Sequence, residues 1–319
     1  MTEANLSGGL TDVHHHCIPR VWREAAERAG IAMVAGRALP DWTPELSLAL
    51  MDRIGTAKTI LSLSAPGVHL GTREEAAALA RACNTEIAEA CRASGGRLGQ
   101  WAVLPMPFAE ESAAEAEYAL DHLGAAGVVL LGSTDGVFLG DPSLEPLMDE
   151  LDRRGAIVFV HPNMHPTSQT ILPHIPGYFV EFLCDTTRAA MNMIFTGCIE
   201  RHPRIRFILA HAGGFIPYIS WRLASADHAP QAADLFPKGV AEYLRAYYYD
   251  TALSVAPATL NLLRDFAGAG HMLFGCDYPF APMPVIEREV RDFHATVDTW
   301  SEEDRLAVTS GTAAGLLGA

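Results

Sequence analysis

The sequence predicts an α/β protein folded as one (β/α)8 barrel, the TIM barrel. Three observations carry this: eight apolar runs of strand length, a turn signal and a longer stretch of helical composition after the runs, and polar metal-competent residues where four of the runs end. With 319 residues, 49% of them hydrophobic and 19% charged, the chain holds enough apolar material for the core a barrel needs. Barrels of roughly 200 to 400 residues are common as single units, so one domain over 1–319 is expected.

In chain order the strand-like runs cover 10–14, 58–64, 98–104, 127–131, 156–161, 206–211, 246–251 and 271–277. Helical stretches cover 44–54, 73–92, 110–123, 144–153, 179–201 and 259–266. Gly55, Gly124 and Gly155 follow three of these, which suits a left-handed cap before the next strand. Two longer connections, 17–43 and 162–178, break the beat as loop insertions; the second is rich in Pro and His. Loops of that length in a compact domain are often covers over an active site.

The formal charge is −15, and no cluster of Lys or Arg marks any stretch, so neither nucleic acid nor an anionic membrane is an expected partner. The six cysteines, Cys17, Cys83, Cys91, Cys184, Cys198 and Cys276, form no C-x-x-C pair. They are expected as reduced thiols in a cytoplasmic protein. The start of the chain, 1–9, lacks the basic and apolar regions of a secretory leader, and no apolar run approaches the ~18 residues of a membrane span.

Asp12-Val13-His14-His15-His16 closes the first run. Alternation along a strand sends His14 and His16 to one side and His15 to the other. His161 ends Ala156-Ile157-Val158-Phe159-Val160, His211 follows Arg206-Phe207-Ile208-Leu209-Ala210, and Asp277 follows Met272-Leu273-Phe274-Gly275-Cys276. Gly213 and Gly214, just after His211, leave bare backbone that a ligand can approach closely. Taken singly, each of these is as readily a packing or loop residue. Placed together at the ends of strands one, five, six and eight they converge on the face where barrel active sites sit. Three neutral imidazoles and one carboxylate on a divalent ion leave a local charge of about +1, suited to polarising water or binding an anionic oxygen. A second metal usually needs a bridging carboxylate or modified lysine. Lys58 and Lys238 both lie away from strand ends, so a single ion is expected. The scarcity of lysine also argues against Schiff-base chemistry, and no Gly-rich nucleotide fingerprint follows a strand.

From Leu10 to Leu317 the chain resembles the aminocarboxymuconate-semialdehyde decarboxylase branch of the amidohydrolase superfamily. The resemblance rests on Asp12-Val13-His14-His15-His16, Trp42-Thr43-Pro44-Glu45, Val160-His161-Pro162, His202-Pro203, His211-Ala212-Gly213-Gly214 and Gly275-Cys276-Asp277-Tyr278-Pro279-Phe280. Within that branch, Leu50-Met51-Asp52-Arg53-Ile54-Gly55, Leu61 to Gly67 and Asp185-Thr186-Thr187-Arg188-Ala189-Ala190 are most similar to the 6-methylsalicylate decarboxylases. The resemblance implies His14, His16, His161 and Asp277 as ligands of one divalent metal, zinc first and manganese second. It also implies His211 as the acid/base residue and Arg222 as a substrate-binding residue lent by the neighbouring subunit of a homodimer. Arg37 lies near the position of a second family arginine but out of register, and is not assigned. Gly311-Thr312-Ala313 stands where Gly-Asn-Ala is usual, and Cys276 where Ser or Thr is frequent.

The implied reaction is non-oxidative decarboxylation of a hydroxylated aromatic acid such as 6-methylsalicylate, a carbon–carbon lyase activity. The proton comes from Asp277 or from a metal-coordinated water, assisted by His211. Hydrolysis of an amide or lactone by metal-activated water is the alternative, and a metal-holding protein without catalysis is a third. Of the remaining histidines, His122, His202, His228, His271 and His294 suit surface or packing roles, while His69, His165 and His174 are candidates for the pocket edge.

Overall fold

The computed structural model describes residues 9–171 and 174–318. The absence of a secretory leader was read from 1–9, of which 1–8 lie outside the described residues, as do 172–173 of the second insertion. Eight parallel strands form the barrel: β1 (Leu10–His16), β2 (Thr56–Ser62), β3 (Leu98–Val103), β4 (Gly127–Leu131), β5 (Ile157–His161), β6 (Arg206–Leu209), β7 (Tyr248–Asp250) and β8 (Met272–Leu273). Each pairs with its sequence neighbour. The ring closes between β8 and β1, where the amides of Val13 and Asp277 donate to the carbonyls of Phe274 (3.0 Å) and His14 (2.9 Å).

The strands are buried on both faces, and alternation divides their side chains into two cores. Ile60, Trp101, Val129, Ile157, Phe159, Ile208 and Leu273 fill the barrel. Trp101 spans the lumen, its indole N–H donating to the Val13 carbonyl at 2.9 Å. Ala102, Val128, Leu130, Val158, Val160, Phe207 and Leu209 face the helices instead. The interior layer forms a solid floor, so the site lies above it, at the C-terminal ends of the strands.

Several expected elements change in extent. The helix expected over 179–201 is two, Glu181–Phe195 and Cys198–Arg201, because Gly197 turns left-handed (φ 69°) between them. The first insertion is not plain loop: it holds a helix, Arg20–Arg28, and a hairpin pairing Met33–Val34 with Arg37–Ala38. The sixth run stops at Leu209, and the eighth is strand only over Met272–Leu273, since His211 (φ 54°) and Asp277 (φ 55°) both sit in left-handed turns beyond. No helix among the described residues is long and apolar enough to cross a membrane.

Candidate metal centre

His14 and His16 extend from the end of β1 with their Nε2 atoms 3.0 Å apart. Oδ1 of Asp277, swung inward by its left-handed backbone, lies 3.0 Å from the Nε2 of His16 and 3.4 Å from that of His14. His161, the last residue of β5, joins them, and all four offer a donor atom within 4.8 Å of every other. Ligands about 2.0–2.2 Å from a tetrahedral cation lie roughly 3.4 Å from one another, so this donor set has the size and chemistry that fit one such ion. The Nδ1 atoms are engaged elsewhere: His14 donates to Asp250 Oδ2 (2.7 Å), His16 to Ser62 Oγ (2.9 Å) and His161 to the Pro162 carbonyl (2.7 Å). With Nδ1 so engaged, Nε2 is the atom each ring turns to the common centre.

The electrostatics are those of a cation site. Burial pushes the His161 imidazole well below its ordinary range, helped by His16 and His14 beside it. Burial likewise lowers His16 to about 4, because an Asp277 hydrogen bond does not offset it. At His14, burial opposes an imidazolium too, but Asp250 and Asp277 outweigh it and raise the pKa to about 10. Burial also works against ionised Asp277; the His14 and His16 imidazoles beside it overcome it and hold that carboxyl well below the usual range.

His211 stands beside this cluster without joining it. Its ring centroid is 4.7 Å from that of His14, and its Nδ1 donates to the Ala252 carbonyl at 3.1 Å, leaving Nε2 uncommitted among the described residues. Burial lowers its pKa, so the ring is neutral at physiological pH. The glycines that follow serve packing, contrary to the ligand approach expected from sequence. A Cβ on Gly213 would meet the Tyr249 ring at 2.5 Å, and one on Gly214 the Leu183 carbonyl at 2.4 Å.

A pocket of about 460 Å³ opens above His161, His211 and Asp277. Phe179, Phe182, Leu183, Leu253, Phe280 and Val285 give it mostly apolar walls, and Phe182 and Phe280 set their rings edge-on to His161 and His16. Arg37, left unassigned by register, lines this pocket from the hairpin of the first insertion and, among the described residues, is the one basic side chain besides the histidines to do so. Arg222 does not line it: on the helix Ile216–Ala224 it is exposed, and the described residues give it no ion-pair partner. His69, His165 and His174 also stay off the pocket lining. His69 instead bonds Asp135 and His165 stacks on Phe138, while His202 is buried as packing. Asp250, another residue sequence reasoning passed over, carried a signal in hindsight, being the acidic residue within the seventh apolar run.

Behind the site, His15 points away from the donor cluster, its Nδ1 3.1 Å from Asp12 Oδ2 and its Nε2 2.8 Å from Ser47 Oγ. Trp42 donates to the same Ser47 at 2.8 Å, and Thr43 caps the helix Pro44–Ile54. The Trp42-Thr43-Pro44-Glu45 motif therefore braces the strand that carries His14 and His16 from outside. Cys276 donates its thiol to Asp12 at 3.0 Å, a bond that a Ser or Thr hydroxyl in its place would make equally.

Comparison with known proteins agrees with this geometry. A family model described as Amidohydrolase matches residues 11–319. The 6-methylsalicylic acid decarboxylase of Penicillium expansum is 37% identical over 312 residues, covering 95% of this chain and 94% of that protein. A crystal structure of an amidohydrolase II superposes with a TM-score of 0.87 at 31% identity, over 97% of this chain and 100% of the other. That of a 2,6-dihydroxybenzoate decarboxylase complexed with 2,6-dihydroxybenzoate gives 0.82 at 26% identity, over 98% and 100%.

Proposed function

The chain belongs to the amidohydrolase family, and we propose that within it the chain is a metal-dependent, non-oxidative decarboxylase of a hydroxylated aromatic acid such as 6-methylsalicylate. The observation that carries this is a four-donor cluster at the base of a pocket with apolar walls, a neutral histidine beside it and one arginine above. An aromatic ring fits the walls, and its anionic groups meet the donors' centre and the guanidinium.

We infer that His14, His16, His161 and Asp277 hold one divalent cation, zinc first and manganese second, on the grounds of three imidazole nitrogens and one carboxylate. When bound, that cation would polarise the carboxylate and the ortho-hydroxyl oxygen of the substrate. The protein's own groups handle the proton. His211, kept neutral with Nε2 free, is placed to take one from solvent, and Asp277, kept ionised, to receive it and pass it to the ring carbon that carries the carboxylate. As the C–H bond forms, the hydroxyl group feeds electron density into the ring. The electron pair of the breaking C–C bond then restores aromaticity, and CO2 departs. One solvent proton is consumed per turnover.

Residues 1–319 act as one catalytic unit in this reading, with the insertions 17–43 and 162–178 as its cover. Its active form is a homodimer in the cytoplasm, without nucleic acid or membrane partners. Tyr218 and Trp221, 83% and 92% exposed, flank Arg222 on one helix. Such a pair of bare aromatics is a surface that a second copy can cover, bringing Arg222 to the partner's pocket. The test is a panel of ortho-hydroxybenzoates, lactones and amides, run on metal-depleted and reconstituted enzyme. CO2 from the hydroxybenzoates, restored by zinc or manganese, supports the reading; acid formation from a lactone or amide alone overturns it.

A further inference from the structure

Asp250, at the end of β7, is fully buried and spends both carboxylate oxygens on the site. Oδ2 takes the Nδ1 proton of His14 at 2.7 Å. Oδ1 accepts the backbone N–H of His211 at 2.9 Å and that of Ala252 at 3.0 Å. Ala252 in turn offers its carbonyl to the His211 ring. One carboxylate thus touches a member of the donor cluster through one oxygen, and through the other it fastens the backbone of His211 and that of Ala252, whose carbonyl holds the His211 ring. Of the three clustered histidines, only His14 is oriented by a carboxylate; His16 leans on a hydroxyl and His161 on a backbone carbonyl. His211 also needs fastening, since its φ of 54° and that of Ala212 (55°) lie in a left-handed region that non-glycine residues occupy only under strain.

We propose that Asp250 is a positioning residue that locks the His14 tautomer and the His211 turn together, so that the donor cluster and the proton-transfer residue are set by one group. This rests on the metal-dependent reading above, and it assigns a role to a side chain that touches neither substrate nor metal. In Asp250→Asn the amide oxygen can still accept the two backbone N–H groups. Its NH2 then faces His14 and cannot accept a proton. The imidazole is driven to carry its hydrogen on Nε2, aimed at the donor centre. In Asp250→Ala both duties are lost.

The test uses cobalt titration and histidine-labelled 15N NMR on the full chain, with no aromatic acid present. Loss of such an outer partner typically weakens metal binding about 10–100-fold, and that drop is expected for Asp250→Asn, together with loss of the His14 Nδ1–H signal in the metal-free protein. The His211 signals of that variant should match the wild type, whereas Asp250→Ala should change both rings. Wild-type cobalt affinity and an unchanged His14 signal in Asp250→Asn would overturn the proposal. So would an unchanged His211 ring in Asp250→Ala. Should the alanine variant not fold, Asp250→Val, which keeps more of the side-chain bulk without any acceptor, takes its place under the same criteria. A chain that bound metal in this way yet decarboxylated nothing would sink the proposed function and leave this role standing.

Discussion

Gly36, at the tip of the first-insertion hairpin, packs so closely on Pro176 of the second that an added Cβ would lie 3.0 Å from the proline Cβ. The two insertions therefore meet beside the pocket, next to Arg37. Gly36 also has φ 89°, where an L side chain is strained by about 1–3 kcal/mol. Gly36→Ala should loosen that contact, lower the melting temperature and raise KM several-fold. Its metal content, measured by elemental analysis, should stay that of the wild type.

Arg37 and Arg222 are separated by their placement. Removing a charged hydrogen-bond partner typically costs about 1.5–3 kcal/mol, so Arg37→Ala should raise KM roughly 10- to 100-fold while leaving metal bound. Arg222→Ala should do the same only through the neighbouring chain. With substrate well below KM, mixing the weakened Arg222→Ala with His211→Ala chains should then restore kcat/KM toward about one quarter of the wild type, as expected for random pairing in a two-fold dimer. No recovery, or a strict monomer by light scattering, removes Arg222 from the site.

Much of the site was legible because strand alternation and strand ends are local properties. His14, His16 and His161 close apolar runs, and the structure gathers them with Asp277. The helix Pro44–Ile54 matches its expected bounds because Thr43, Pro44 and Gly55 mark both ends chemically. What was missed depends on contacts far apart in sequence. The helix Arg20–Arg28 buries only Trp22 and Ala26, too thin a stripe to stand out among its charges. Arg37 reaches the pocket through a hairpin of two-residue strands, which has no readable period. Gly275 and Asp277 cut β8 short: a Cβ at 275 would strike that of His14 at 2.6 Å, a constraint that exists only once the barrel closes.

Asp185 ties its helix to the turns that follow β4 and β5, accepting the Ser133 hydroxyl at 2.5 Å and the Asn163 amide at 2.9 Å. Burial raises its pKa from 3.8 to about 6. The folded carboxyl therefore keeps its proton to a higher pH than the unfolded one. Its contribution is fully present below pH 3.8 and is lost as pH rises through 6. By linkage the loss is roughly 3 kcal/mol. Asp185→Asn cannot ionise, so urea melts from pH 4 to 7 should show the wild type losing stability relative to this variant by about that order. A constant difference across the range would contradict it.

The donor set makes its own prediction. His14→Ala, His161→Ala and Asp277→Ala should each lose metal and turnover, whereas His15→Ala, which disturbs only the Asp12–Ser47 network, should keep its ion. His211→Ala should also keep the ion, yet lose activity on the order of 100-fold or more, as expected when a proton-transfer group is removed. Full metal in all three ligand variants, by elemental analysis, would break the assignment.

The most direct test of the central claim is turnover of 6-methylsalicylate in D2O by the metal-loaded enzyme, with gas and ring positions analysed together. Decarboxylation with protonation from solvent predicts CO2 and 3-methylphenol in equal amounts, with deuterium at the carbon that carried the carboxylate. No CO2 from this or any related ortho-hydroxybenzoate, alongside cleavage of a lactone or amide by the same preparation, would contradict it.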